Sequence, residues 1–205
     1  MTRKNARKRP GRDPEQIFPC NNVRQANPYV AAVAAAKKHT FNKGEKNGIW
    51  LIAGRGIQGD AHCGATVQHL YDKTKDASRP NLRQVHVIEA ELIDRLQTLG
   101  FDIKVGELGE NVVTRNIDLV ELHAGTRLKL GEDAIIEIKG LRAPCFKIER
   151  FKTGLRRILT AHRRGEAYMP SAVMAVVIES GAIRAGDKIQ VKDRGDRRRI
   201  PLRPI

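Results

Sequence analysis

Aromatic residues are scarce. Phe, Tyr and Trp make up 4% of the 205 residues, so aliphatic side chains must fill the interior. Cysteine is scarce too. Cys20, Cys63 and Cys145 are odd in number and form no CxxC pair. That argues against a disulfide framework or a structural zinc cluster, and fits a reducing, cytoplasmic setting. No apolar run approaches the roughly 20 residues that span a bilayer. No apolar stretch follows the basic residues 1–10, so neither a membrane segment nor a secretory signal is expected. No basic motif interleaved with aromatics is present, and specific nucleic-acid recognition is not expected either.

What the chain has in excess is positive charge, +15 overall. Residues 1–12 hold six Lys/Arg and no acid, and residues 192–205 carry a net +4, which leaves +5 for everything between. The excess therefore sits in two tails. Residues 1–27 read as a disordered N-terminal tail and residues 192–205 as a basic C-terminal tail, both solvated. Weak, non-specific attraction to nucleic acid is the alternative for them. One domain over residues 28–191 is long enough to bury a sizeable core.

Within it, short apolar stretches alternate with glycine turns. Residues 29–35 read as a strand, with a helix as the alternative that their alanines allow; residues 49–52 read as a strand, as do 81–88, where Leu82, Gln84, His86 and Ile88 share one face. Residues 126–130 and 134–139 read as a hairpin across the turn 131–133. Residues 172–178 and 188–191 complete the strands. Leu92, Ile93, Leu96 and Leu99 fall at helical spacing before Gly100. Ile148, Phe151, Leu155, Ile158 and Leu159 predict a second amphipathic helix. The fold class is mainly β with some α, a closed or partly closed β-barrel with a few short packing helices.

Candidate site residues cluster in the turns. Residues 140–145, Gly-Leu-Arg-Ala-Pro-Cys, follow a β-branched run, and Pro144 ends strand pairing, so Cys145 belongs to a turn just past a strand end. Arg142 lies three positions upstream. A nearby guanidinium lowers a thiol pKa and favours the thiolate that attacks electrophiles or binds metals; a buried structural cysteine is the alternative. In the glycine-rich loop 54–64, Gly54, Gly56 and Gly59 match a dinucleotide fingerprint by letter, but no helix follows and the fingerprint is discounted. Asp60 and His62 stand two apart, on one side of an extended segment. They either face a metal or substrate together, or Asp60 caps the turn and His62 bonds within the loop. Arg83, Gln84 and His86 on a buried strand require partners. Glu110 reads as a carboxylate bonding the turn at 106–111, and Asn111 as the residue facing a pocket.

Read together, Gly59-Asp60-Ala61-His62, Asn81-Leu82-Arg83-Gln84-Val85, Gly106-Glu107-Leu108-Gly109-Glu110-Asn111, residues 126–131, Arg142-Ala143-Pro144-Cys145 and the closing strands after Val173 resemble the MOSC domain family over roughly residues 29–191. The resemblance implies a β-rich, barrel-like core and a functional thiol at Cys145. In relatives that bind molybdenum cofactor (molybdopterin), the matching cysteine ligates molybdenum, and those relatives reduce N-hydroxylated compounds. On that footing the cofactor is expected at the barrel mouth, with Asp60, His62, Arg83, Asn111 and Arg142 contacting the pterin, its phosphate or a small-molecule substrate. An electron-donating reductase is then implied as partner, since no flavin, haem or iron–sulfur motif is present. Other relatives are thought to carry sulfur as a cysteine persulfide supplied by a pyridoxal-phosphate-dependent cysteine desulfurase; no lysine motif for pyridoxal phosphate is present here. A binding module in which Cys145 merely packs is the third alternative. The β-barrel N-terminal domain of the larger reductases has no counterpart in the chain, so their substrate channel is not expected.

Overall fold

The computed structural model describes residues 26–163, 165–194 and 200–205. The reading of residues 1–27 as a tail falls almost entirely outside these. Thirteen strands are described: β1 Tyr29–Ala35, β2 Gly44–Lys46, β3 Ile49–Ile52, β4 Gly56–Ile57, β5 Val85–Glu89, β6 Val112–Arg115, β7 Thr126–Leu130, β8 Ala134–Leu141, β9 Ala161–Arg163, β10 Glu166–Tyr168, β11 Ala172–Glu179, β12 Gly181–Ile183 and β13 Ile189–Arg194. Four short helices are interspersed: α1 Leu70–Lys73, α2 Ala90–Thr98, α3 Lys147–Phe151 and α4 Leu155–Ile158.

Eight strands form the main sheet in the order β13-β7-β8-β11-β5-β6-β1-β2. All its pairs are antiparallel except β5–β6, which α2 joins as a crossover. The sheet curls until its ends meet. Tyr29 bridges Lys188, and Ile189 N–H donates to Pro28 O at 2.9 Å. The expected partly closed barrel is the observed fold. A second sheet, β12-β3-β4, closes one flank.

Strand alternation divides the apolar side chains into two layers. Val33, Val85, Val87, Ile136, Ile138, Val173 and Ala175 face the barrel interior. Ile88, Val113 and Ala172 face the other way, against Leu92, Leu96, Ile148 and Leu155 of the helices. The hairpin β7–β8 pairs Leu130 with Ala134 across the expected turn.

Several details differ from the sequence reading. The strand expected from residue 81 begins at Val85, and Leu82 is exposed. The single helix expected over 148–159 is two, broken where Gly154 takes a left-handed φ of 81°. The β9–β10 hairpin is an addition to the expected strands. In the C-terminal tail, residues 200–205 are not free in solvent throughout: Ile200, Pro201 and Arg203 are exposed, but Leu202 is buried and the segment pairs with the end of β8.

Candidate functional site

The β8 strand ends at Leu141, and backbone hydrogen bonds fix the residue after it. Arg142 N–H donates to Ala172 O at 3.0 Å, and Arg142 O accepts from Met169 N–H at 2.8 Å. Pro144 then releases the chain from the sheet, and Cys145 stands two residues before α3. Its Sγ accepts the Lys147 N–H at 3.4 Å and is half-buried. The turn geometry read from Pro144 is therefore present.

Cys145 opens onto a cavity of about 670 Å³. Five of the six expected site residues line it: His62, Arg83, Asn111, Arg142 and Cys145. Asp60 is the exception. It lies behind the wall and organises it. Its Oδ2 accepts from Lys43 Nζ at 2.9 Å, Asn111 Nδ2 at 3.1 Å and Ala36 N–H at 3.2 Å. Its Oδ1 accepts the His62 N–H at 2.9 Å and lies 3.3 Å from His62 Nδ1. Burial opposes its charge, but His62 and Lys43 together hold its carboxyl well below the usual carboxylate range. Asp60 thus bonds the turn, as the second reading has it, and His62 lines the cavity.

The cavity lies on the helix-bearing face of the sheet, not at the barrel mouth. His86, Met174 and Gly140 stand side by side on β5, β11 and β8. His86 and Met174 alternate with the inward-facing Val85, Val87, Val173 and Ala175, so they project outward. Asn111 extends this row beside His86, whose N–H donates to Asn111 Oδ1 at 3.2 Å. Gln84, for which the sequence demands partners, bonds Gly54 O and Val177 N–H away from the cavity.

The walls are cationic. Lys43, Arg79, Arg83, Arg142 and Lys147 line the cavity, against Asp72 as the one acidic side chain among the described lining residues. Arg83 Nη1 reaches Asp72 Oδ2 at 3.3 Å. Arg142 is different. It is 7% exposed, donates from Nη1 to its neighbour Ala143 O, and leaves Nε buried without a partner. Burial and the facing Arg83 lower its pKa to about 10, against the opposing pull of Cys145 and Glu110. His86 Nε2 is likewise buried without a partner, and burial with the nearby Arg142 pushes its pKa well below 6.5, so it is neutral. A buried guanidinium with an unpartnered N–H, beside a neutral imidazole and a sulfur, suits an anionic ligand.

Glu110 does what was read for it, its carboxylate accepting the Gly106 and Leu108 N–H groups inside the turn. The sequence reading missed Lys43, His39 and His69 as lining residues. Lys43 sits in a polar stretch without periodicity, and only the fold brings it to Asp60. Four exposed apolar side chains, Leu70, Tyr71, Leu82 and Phe146, surround the mouth.

Among the described residues, no three His, Cys, Asp or Glu side chains are grouped to hold a metal ion. A metal in this cavity would have to bring its own ligands and take one from the chain. The donor set present, one soft sulfur with cationic walls and an unpartnered guanidinium N–H, fits a metal–pterin phosphate of that kind. No helix among the described residues is long and apolar enough to cross a membrane.

A family model for the MOSC domain matches residues 65–190. A reductase of Gibberella moniliformis (strain M3125 / FGSC 7600) is 30% identical over 159 residues, which cover 74% of this chain and 25% of the relative. The chain thus spans about a quarter of that relative's length. Among solved structures, the YuaD protein from Bacillus subtilis superposes with a TM-score of 0.64 at 21% identity, covering 80% of this chain and 94% of that one. YiiM from Geobacillus stearothermophilus gives 0.58 at 13% identity, covering 85% and 79%. These two share the fold.

Proposed function

The chain belongs to the MOSC domain family, and on that footing we propose that it is a molybdenum-cofactor-dependent reductase of N-hydroxylated compounds with Cys145 as the protein's ligand to the metal. The observation that carries the reading is Arg142, buried with Nε unpartnered, in the same cavity as the Cys145 sulfur. The reductase named among its relatives agrees with the reaction class. When bound, the cofactor supplies a two-electron couple for removing the hydroxyl oxygen from nitrogen. The overall change consumes two electrons and two protons and yields the amine and water.

The chain's own residues do the rest. Cys145 presents one soft sulfur. Arg142 and Arg83 would hold the phosphate of the pterin, and Asn111 fixes the floor beside His86. His62, oriented by the buried Asp60, faces the cavity as the group that passes protons to the leaving oxygen. Electrons come from a separate electron-donating reductase.

The test is a purification. The protein is expressed in a host that makes molybdenum cofactor, and bound metal and pterin are measured beside Cys145→Ser. Stoichiometric molybdenum in the wild type, lost in the variant, together with reduction of an N-hydroxylated base, is the expected result. A metal-free protein whose Cys145 gains one sulfur atom from a cysteine desulfurase would replace this reading with a sulfur carrier. A metal-free protein without that sulfur would leave a small-molecule-binding module. Cys63 lies outside the cavity lining, and burial raises its thiol pKa. If Cys63 reacts while Cys145 does not, the site assignment fails.

A further inference from the structure

The β8 strand outruns its neighbour. β7 pairs with it only from Ala134 to Glu137, so the backbone at Gly140 and Leu141 would be an open edge above the cavity. Residues 200–205 cover that edge. Leu141 N–H donates to Arg203 O at 2.7 Å, and Ile205 N–H donates to Leu141 O at 3.1 Å. Leu202 anchors the segment, buried in the barrel core at 1% exposure, and Ala124 N–H holds Ile200 O at 3.1 Å. Gly140 makes the approach possible. A Cβ there would stand 2.6 Å from Arg203 O and 2.7 Å from Ile205 Cγ2. Pro204 and Ile205 then line the same cavity as Arg142 and Cys145. The segment lies beyond residues 65–190, where the family model matches.

We propose that residues 200–205 form a strap whose Pro204 and Ile205 make the apolar end wall of the cavity and set the size of the molecules that reach Cys145. The polar wall of Arg83, Arg142 and His86 selects charge, and the strap selects shape. A docked strap admits compact substrates and excludes those with a bulky apolar group. The proposal rests on the reading of Cys145 as the reactive centre, but its test needs no bound metal, so the two fail separately.

The test is thiol labelling in a chain with Cys20→Ser and Cys63→Ser, leaving Cys145 alone. Second-order rates are measured with iodoacetamide and with the bulky N-(1-pyrenyl)maleimide. Three strap variants are compared: removal of residues 200–205, Gly140→Ala, and Ile205→Ala. The first two displace the strap, and loss of amide-exchange protection at Leu141 reports the displacement. The bulky-to-small rate ratio rises about tenfold in both. Ile205→Ala keeps the backbone pairing and Leu141 protection, and raises the ratio by a smaller factor. It carries the test if the other two fail to fold. A ratio within about twofold of wild type in every variant that folds overturns the proposal. So does an equal rise for both reagents, which would mean general loosening instead of a size filter.

Discussion

Lys43 Nζ lies 2.9 Å from Asp60 Oδ2, and both side chains are almost wholly buried. The two partners are not equivalent. Asp60 keeps backbone donors from Ala36 and His62 and the Asn111 amide if Lys43 is lost. Lys43 has no comparable set among the described residues, and burial already lowers its pKa. Asp60→Asn therefore costs about 3–5 kcal/mol, the penalty of breaking a buried pair. Lys43→Met costs only about 1–2 kcal/mol. Urea denaturation of both variants measures the difference. Because the folded Asp60 pKa is depressed, its stabilisation is present above the unfolded value and lost as pH falls. Wild-type stability drops below about pH 4, with a slope that shrinks in Asp60→Asn.

Glu89 works in the opposite sense. It is buried, accepts the Leu119 N–H at 2.8 Å, and burial raises its pKa from 4.5 to about 7. The folded state then binds the proton that the unfolded state releases, so stability falls as pH rises from about 4.5 to 7. Glu89→Gln keeps the acceptor and removes the titration. Thermal melts from pH 5 to 8 should show the variant gaining about 1–3 kcal/mol on wild type at the alkaline end and matching it at the acid end.

Arg142 makes no ion pair among the described residues, so the metal-free chain bears its charge at a cost. Arg142→Met should stabilise that form by about 1 kcal/mol. The same change should remove the rise in melting temperature that inorganic phosphate gives the wild type. A variant destabilised without phosphate and still responsive to it would contradict the anionic-ligand reading of the cavity.

Two glycines with nearly the same φ separate strain from space. Gly106 and Gly154 have φ of 83° and 81°. A Cβ at Gly106 would stand 2.0 Å from Lys43 O, whereas at Gly154 nothing lies within 4 Å. Gly154→Ala should cost about 1–2 kcal/mol, the left-handed penalty alone. Gly106→Ala should cost about 1–3 kcal/mol beyond that, because it pushes against the backbone of the residue that pairs with Asp60. Chemical denaturation of the two variants gives the comparison.

Much of this was legible in the chain. Period-two alternation marked β7, a short apolar run marked β1, and the 3.6-residue spacing of Leu92, Ile93 and Leu96 marked α2, with Gly100 at its stop. Arg142 and Cys145 were legible because one short turn holds both. Asn111 was legible because glycines confine it. What escaped depends on long-range packing. Lys43 belongs to the site only because Asp60, seventeen residues on, is folded back onto it. Residues 200–205 read as solvent-loving because Arg197, Arg198, Arg199 and Arg203 mask Leu202 and Ile205. The placement of the cavity on the outer face is set by which side of β5 the helices cover, and alternation alone does not choose a side. Gly154 breaks a helix whose apolar spacing runs through it unbroken.

The bridge between Tyr29 and Lys188 sets the domain's first strand beside the start of its last. Because that bridge is antiparallel, β13 runs away from the entry of β1, and β7 stands between this seam and the strand that leads to Cys145. A partner fused ahead of β1 would therefore join the chain at the seam, whereas one fused after Ile205 would join it at the cavity wall.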